Sequence, residues 1–444
     1  MSNIDDRECC YKLLFDCFDK QAFSNLALNG SNASDFVRAA FYGTITYLES
    51  IDFLVKLASG KSVASMDTRT ATIVRLGAWQ ILFSEKVPDY AAVSSSVDLC
   101  KKYAKSSVGF VNHVLRSLSD LPEEKRDISI YKPEVATSLK SEIFGVFKKC
   151  YGKNRALSIG KAFLNTAELS VRVNTLKTDK ASLKKSLSDD GFKVSDAHFL
   201  EDALIINSVG NTPLDNCKAF LNGEFFVQAE SAMLASIIAN PDKNDTILDC
   251  CSAPGGKSTH LAELCGDECS ITSLDVNSSR LELIKENTAR LGISSINCKV
   301  ADSTNLGQTL NPDTKFDIVT CDVPCSGLGL ISRKPDIRLT ISYDRIQELL
   351  PKQYKILCEA SAYVKNGGSL IYSTCTINCA ENELQVRKFL EEHEEFYADD
   401  ITDLIPSGII LDDDRKALAK AGMITLFPDT DKCDGFFIAR LRRK

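Results

Sequence analysis

The chain has 444 residues, 44% hydrophobic and 25% charged, with 23 Gly, 12 Pro and a net charge of −7. That is too long for one ordinary core, since domains usually run ~100–200 residues, and the composition excludes collagen-like, low-complexity and disordered classes. No apolar run approaches the roughly 18 residues of a membrane span, and Met1 leads into the polar Ser2-Asn3-Ile4-Asp5-Asp6, so a cytoplasmic protein with no membrane partner is expected.

From Glu8 to about Leu121 apolar residues recur at three- and four-residue spacing, as in Phe36-Val37-Ala40-Phe41-Thr44-Ile45 and Ile73-Leu76-Gly77-Trp79-Gln80-Ile81-Leu82. The spacing predicts a small all-α domain with Trp79 in its core. Pro122-Glu123-Glu124-Lys125-Arg126-Asp127 interrupts the periodicity with a proline and a charge run, which predicts a linker and sets the first domain as residues 1–126. Beyond it helices are expected near 133–168 and 181–189, with β pieces at Ser170-Val171-Arg172-Val173-Asn174 and Ala203-Leu204-Ile205-Ile206. This makes a small α+β middle domain, residues 127–232. Residues 132–193 hold thirteen Lys/Arg against six Asp/Glu, and the chain ends Arg440-Leu441-Arg442-Arg443-Lys444, a basic pattern on an acidic protein that fits a polyanion partner.

Residues 233–444 form the third expected domain. Its strands are Ile247-Leu248-Asp249-Cys250, Ile271-Thr272-Ser273-Leu274-Asp275, Cys298-Lys299-Val300-Ala301-Asp302, Phe316–Asp322 and Ser369-Leu370-Ile371-Tyr372-Ser373-Thr374, alternating with helices. That alternation predicts a parallel α/β sheet, and ligands of such sheets sit at the carboxyl ends of the strands. Four of the five strands end in or next to an Asp, so carboxylates surround one crevice.

After the first of these strands, Cys251-Ser252-Ala253-Pro254-Gly255-Gly256-Lys257 gives a Gly-Gly turn at a helix start, suited to close backbone approach by a ligand. It is neither the GxGxxG dinucleotide fingerprint nor a P-loop. Asp275 stands where a carboxylate accepts hydrogen bonds from ribose hydroxyls, and Asp302 where one could receive an exocyclic adenine amine. Each alone could also cap the next helix. Cys325, in Asp322-Val323-Pro324-Cys325-Ser326-Gly327, and Cys375, after Ser373-Thr374, both fall over the crevice, where a helix N-terminus or lysine would depress a thiol pKa. A thiolate beside a carboxylate can activate a pyrimidine by addition at C6. The residues alone do not say which cysteine attacks. The other fifteen of the 17 cysteines read as small buried hydrophobes and, with an odd count and no signal peptide, the set reads as reduced thiols. The CxxxC spacings and four histidines lack a zinc pattern, so no metal is expected.

Asp249-Cys250-Cys251-Ser252-Ala253-Pro254-Gly255-Gly256-Lys257, Asp322-Val323-Pro324-Cys325-Ser326-Gly327, Lys334-Pro335-Asp336-Ile337-Arg338, Ser373-Thr374-Cys375-Thr376 and Asp434-Gly435-Phe436-Phe437 resemble, in order, the motifs of RNA cytosine-C5 methyltransferases of the RsmB (Fmu/Sun) type. Arg75–Phe83, Val87-Pro88-Asp89 and Phe110–Arg116 resemble the NusB-like helical domain of the bacterial enzymes, and Val171–Thr175 and Val227–Ser231 their middle region. The resemblance covers nearly the whole chain. It implies a NusB-like RNA-binding domain, an RRM-like middle domain that grips RNA, and a Rossmann-like catalytic domain dependent on S-adenosylmethionine. By position it makes Cys375 the nucleophile, Cys325 the thiol that assists release, and Asp322 the group that holds cytosine N3 and the amine edge. Cys251, Ser252, Ala253, Pro254, Gly255, Gly256, Lys257, Asp275, Arg280, Asp302 and Asp322 would form the cofactor site, with Lys257 also near the reacting base. The family implies 16S rRNA as the substrate; a monomer is expected.

The departures Ser252, Val323, Thr376 and Asn378-Cys379-Ala380-Glu381-Asn382 remove no functional group from this chemistry. Methylation of tRNA or another RNA is the nearest alternative, and a non-catalytic RNA-binding assembly factor the next. An amino methyltransferase would carry an aromatic after the proline where Cys325 stands, a binding factor has no use for paired thiols, and a dehydrogenase would show GxGxxG.

Overall fold

A computed structural model describes residues 6–20, 33–208, 210 and 212–444 of the chain. It divides into two compact units, Met1–Thr166 with Leu330–Tyr343, and Ala167–Gly329 with Asp344–Lys444.

The first unit is helical. Its longer helices span Asp6–Lys20, Asp35–Thr46, Leu48–Ser59, Thr68–Phe83, Asp89–Tyr103, Val108–Ser119 and Ser141–Ala162. The Ser34 hydroxyl and the Asp67 carboxylate accept backbone N–H bonds at the starts of the second and fourth, satisfying donors that a helix end leaves free. Trp79 is buried in the shared core with Leu76, Ile73 and Leu115, as the periodicity predicts. The helices expected near 133–168 are Pro133–Ala136 and Ser141–Ala162, and the second is kinked at Gly152, whose φ of 76° no right-handed helix contains. The Lys334–Arg338 motif, which the resemblance groups with the catalytic motifs, packs within this unit. Arg338 is buried and donates to the carbonyls of Thr137 (3.1 Å), Ser138 (2.7 Å) and Phe163 (2.9 Å). Leu339 packs against the helical core.

The second unit holds two sheets. The smaller is antiparallel, in the order β2-β3-β1-β4, with β1 Leu169–Val173, β2 Lys193–Asp196, β3 Ala203–Ser208 and β4 Phe225–Val227. β1 and β3 lie where expected; β2 and β4, at four and three residues, are too short to show an alternating pattern. The larger sheet comprises β5 Thr246–Asp249, β6 Ser270–Asp275, β7 Ile296–Val300, β8 Phe316–Asp322, β9 Val364–Thr374, β10 Phe396–Ala398, β11 Met423–Leu426 and β12 Phe436–Arg443, in the order β10-β12-β9-β8-β5-β6-β7, with β11 also on β12. The five expected strands, β5 to β9, are parallel, and three antiparallel strands the sequence reading did not include extend the sheet at β9. The chain reaches β6 on one side of β5 and β8 on the other, so strand order reverses there and opens a crevice at the carboxyl ends.

β12 corrects the reading of the terminal basic cluster. Arg440 and Arg442 both donate to Asp399, at 2.8 and 3.1 Å, and Arg440 also to the Ile238 carbonyl. Fifteen of the 17 cysteines are free thiols, and for those the expectation of reduced sulfur holds. Among the described residues no helix is long and apolar enough to cross a membrane.

Candidate active site

The crevice at the reversal point gathers the residues that the sequence singles out. β5 ends at Asp249 and the loop Cys251–Lys257 leads into the helix Gly256–Leu264. Gly255 caps that helix at φ +102°, a conformation that favours glycine, and a Cβ there would lie 3.2 Å from Ile284. The loop is tied from several sides. Ser252 donates through both its N–H and its hydroxyl to the Leu274 carbonyl in β6. Arg280 donates to the Ala253 carbonyl at 2.7 Å and pairs with Asp275 at 3.4 Å, so its guanidinium braces the loop against the end of β6. Asp275 also accepts from the Asn277 N–H at 2.9 Å. Asp302, two residues beyond β7, is exposed and accepts the N–H and hydroxyl of Thr304 on one oxygen, which hold its carboxyl below the usual range.

Asp249 lies beneath the loop and is fully buried. The Ser258 hydroxyl donates to its Oδ2 at 2.6 Å, and Ser273 to Ser258 at 2.9 Å, while its Oδ1 has no hydrogen-bond partner. Burial pushes this carboxyl up to about 6, because a charge withdrawn from water is costly. Burial also pushes the Cys251 thiol well up.

The second half of the site is built by the ends of β8 and β9. Asp322 accepts from Lys257 Nζ at 2.6 Å and from the Ser373 hydroxyl at 3.0 Å. Burial alone would lower the Lys257 ammonium, but the Asp322 carboxylate outweighs it and the net direction is upward. The same ammonium lies over the Phe436 ring, 5.2 Å from its centre. Cys325 and Cys375 meet with their sulfurs 3.2 Å apart, both half-buried. Their contact sits on a crossing of three backbones. Gly329 donates to the Cys375 carbonyl, and Gly435 to the Gly329 carbonyl; a Cβ on Gly329 would fall 1.9 Å from the Gly435 oxygen.

For Cys325 the expected depression of the thiol pKa is reversed. The neighbouring Cys375 sulfur, then burial, then the nearby Glu381 carboxylate push it well above the usual thiol range.

Some members of the site were missed from the sequence. Ser373 is inside a quoted motif but carries no recognisable role there. Glu381, fully buried, accepts from Ser326 N (2.8 Å), Ser326 Oγ (2.5 Å), Gln353 Nε2 (2.9 Å), Asn378 Nδ2 (3.0 Å) and Thr376 Oγ1 (3.4 Å). The available signal was a carboxylate six residues past Cys375, after an uncharged stretch.

Three family models match the chain in order: the NusB family over residues 5–120, the ferredoxin-like domain of the RsmF/B-like methyltransferases over 145–212, and 16S rRNA methyltransferase RsmB/F over 236–442. The "Probable ribosomal RNA small subunit methyltransferase B" of Bacillus subtilis is 32% identical, covering 100% of both chains. Among solved structures, PH0851 superposes with a TM-score of 0.78 at 24% identity over 99% of each chain. NSun6 from Pyrococcus horikoshii, solved with SFG, gives a TM-score of 0.60 at 21% identity over 68% of this chain and 98% of its own. These two likenesses are of fold.

Proposed function

Since this chain belongs to the RsmB/F family of 16S rRNA methyltransferases, we propose that it methylates C5 of a cytosine in 16S rRNA, in the cytoplasm, through a covalent bond from Cys375 to C6. The observation that carries the reading is the pair of thiols 3.2 Å apart, one from the end of β8 and one from the end of β9, beside an Asp322 carboxylate already paired with an ammonium. A binding module needs no such pair.

The residues present fit S-adenosylmethionine. Asp249 keeps a buried Oδ1 without a hydrogen-bond partner, Asp275 and Asp302 offer carboxylates at the next two strand ends, and Gly255 takes the φ of +102° that turns the loop into the helix start. The relative NSun6 was solved with SFG, an analogue of that donor. When bound, S-adenosylmethionine supplies an electrophilic methyl group on a sulfonium.

The chain's own groups do the rest. A pyrimidine in a stacked helix is out of reach of a thiol, so the target base must be unstacked or in a loop. Asp322, drawing on the Lys257 ammonium, shares a proton with N3 and accepts from the exocyclic amine. With N3 protonated, a lone pair of the Cys375 thiolate forms the S–C6 bond and the C5–C6 π pair makes C5 nucleophilic. Once methylated, C5 carries both the methyl and its original proton. Cys375 is by then an uncharged thioether, so the main influence holding Cys325 protonated is gone and its proton can leave to solvent. The Cys325 thiolate takes the C5 proton, the C5–C6 double bond re-forms, the Cys375 sulfur departs with its electron pair, and the N3 proton returns to Asp322. One methyl group enters and one proton leaves.

The test is product identity. A 16S transcript treated with methyl-labelled donor and digested to nucleosides should carry the label in 5-methylcytidine, and Cys375→Ser should reduce its formation ~10²-fold or more. Label in N4-methylcytidine, or a Cys375→Ser enzyme as fast as the wild type, would overturn the reading.

A further inference from the structure

The two thiols are held at their separation by a group that the chemistry above does not use. Pro324 and Ser326 flank Cys325, and Thr376 follows Cys375. Ser326 donates to Glu381 through both its N–H and its hydroxyl, and the Ser326 and Thr376 hydroxyls are 2.9 Å apart. Gln353 donates through one Nε2 to Glu381 (2.9 Å) and to the Pro324 carbonyl (3.0 Å). Glu381's own carbonyl accepts from the buried Tyr372 hydroxyl at 2.6 Å, two residues before Thr374 at the end of β9. The side-chain donors around this carboxylate, Ser326, Gln353, Asn378 and Thr376, are all neutral, so its charge is satisfied by hydrogen bonds rather than by a cation.

We propose that Glu381 is a positioning residue that fixes the approach of Cys325 to Cys375 and thereby keeps the two thiols in separate roles, Cys375 as nucleophile and Cys325 as the thiol of the release step. This rests on the proposed C5 chemistry. One carboxylate ties the segment after Cys325 to the segment after Cys375, so neither sulfur can drift without breaking a buried hydrogen bond. Its negative charge acts on Cys325 in the same sense as the adjacent sulfur, favouring the neutral thiol there until Cys375 is consumed. The groups that face Cys325 and bear on this are Cys375, Glu381 and Tyr372, while Lys257 faces Cys375.

Glu381→Gln keeps the volume and removes the charge. In full-length protein, with a 16S transcript and S-adenosylmethionine, it should lower kcat ~10–100-fold with both KM values within about two-fold, and a protein–RNA adduct that is transient in the wild type should accumulate in denaturing gels. In the free enzyme, iodoacetamide should label Cys375 well ahead of Cys325 in the wild type, and that preference should narrow at least three-fold in the variant. Gln353→Ala, which leaves the carboxylate but removes one tether, should show the same adduct to a lesser degree and stands in if Glu381→Gln does not fold. Unchanged kcat, or a loss confined to KM with unchanged labelling, would overturn the proposal. A wild type that forms no 5-methylcytidine would instead sink the C5 reading on which it rests, so the two failures are distinguishable.

Discussion

Asp249 is the residue whose ionisation has the clearest consequence for stability. Its carboxyl titrates at about 6 in the folded chain against 3.8 ordinarily, because it is wholly buried and the Ser258 hydrogen bond only partly compensates. The folded state therefore binds more protons than the unfolded state between those values, and stability falls as pH rises through that window, by on the order of 2–3 kcal/mol. Asp249→Asn abolishes this dependence. Urea unfolding of both proteins should show the variant gaining on the wild type by about that amount between pH 4 and pH 7; a difference that stays constant with pH would show that the group is not held in this state. Asp249 was visible in the sequence as a strand-end acid, as were Cys325, Cys375, Asp322 and Lys257, because each stands next to a strand end or opens a helix. Glu381 and Ser373 were not assigned, because their importance lies in which donors or acceptors converge on them, and Ser326, Gln353 and Asn378 come from three separate segments.

Among the elements, β1 of the small sheet and the helix Gly256–Leu264 are locked by one buried ion pair. Arg172 donates to both Glu263 oxygens, at 2.7 and 2.8 Å, and to Thr259, Gln228 and the Gly256 carbonyl. Burial pushes the Glu263 carboxyl up, with Arg172 opposing. Removing one partner strands the other charge in a dry site, so Arg172→Ala should lower the unfolding free energy by ~3–5 kcal/mol. Adding Glu263→Ala should cost much less than a second equal loss, as a double-mutant cycle in denaturant would record. Additive losses would mean that the pair is not coupled. Nothing in the sequence marks Arg172 as internal: it lies among the lysines of the basic stretch and reads as surface charge, whereas β1 is buried on both faces. The strands β5, β6, β8 and β9 were legible from their apolar runs between helices, and β7, Ile296-Asn297-Cys298-Lys299-Val300, from its place in the alternation. β12 was not, since Arg440, Arg442 and Arg443 interrupt its apolar pattern, and the strand carries them because Arg440 and Arg442 pair with Asp399 while Arg440 and Arg443 donate to the carbonyls of Ile238 and Val364.

On the scale of the whole molecule, net charge is a poor guide to what the surface offers. The chain carries −7, and several of its cations, Arg172, Arg338 and Arg440 among them, are buried on carboxylates or carbonyls. The exposed part of the basic stretch is shared between the units: Lys132, Lys148, Lys149, Lys153 and Lys161 on the first, and Lys177, Lys185 and Lys193 on the second. A sequence reading assigns such a stretch to one place because it is contiguous in the chain. The folded chain also moves Leu330–Tyr343 out of the catalytic half and into the helical unit, where Arg338 closes three carbonyls; a motif order alone does not reveal this. The reversal of strand order at β5 is what brings Asp249, the loop Cys251–Lys257 and Asp322 to one crevice; the βαβ pattern predicts a crevice at the carboxyl ends of the strands but not the strand order.

The central claim is that Cys375 bonds transiently to the base, and it is tested most directly by stalling the step that breaks the bond. Cys325→Ala protein, incubated with 16S transcript and S-adenosylmethionine and then digested with protease and nuclease, should yield a peptide containing residue 375 that carries a methylated cytidine, while Cys375→Ala yields no adduct. A stalled adduct on any other peptide, or equal adduct from both variants, would contradict the account.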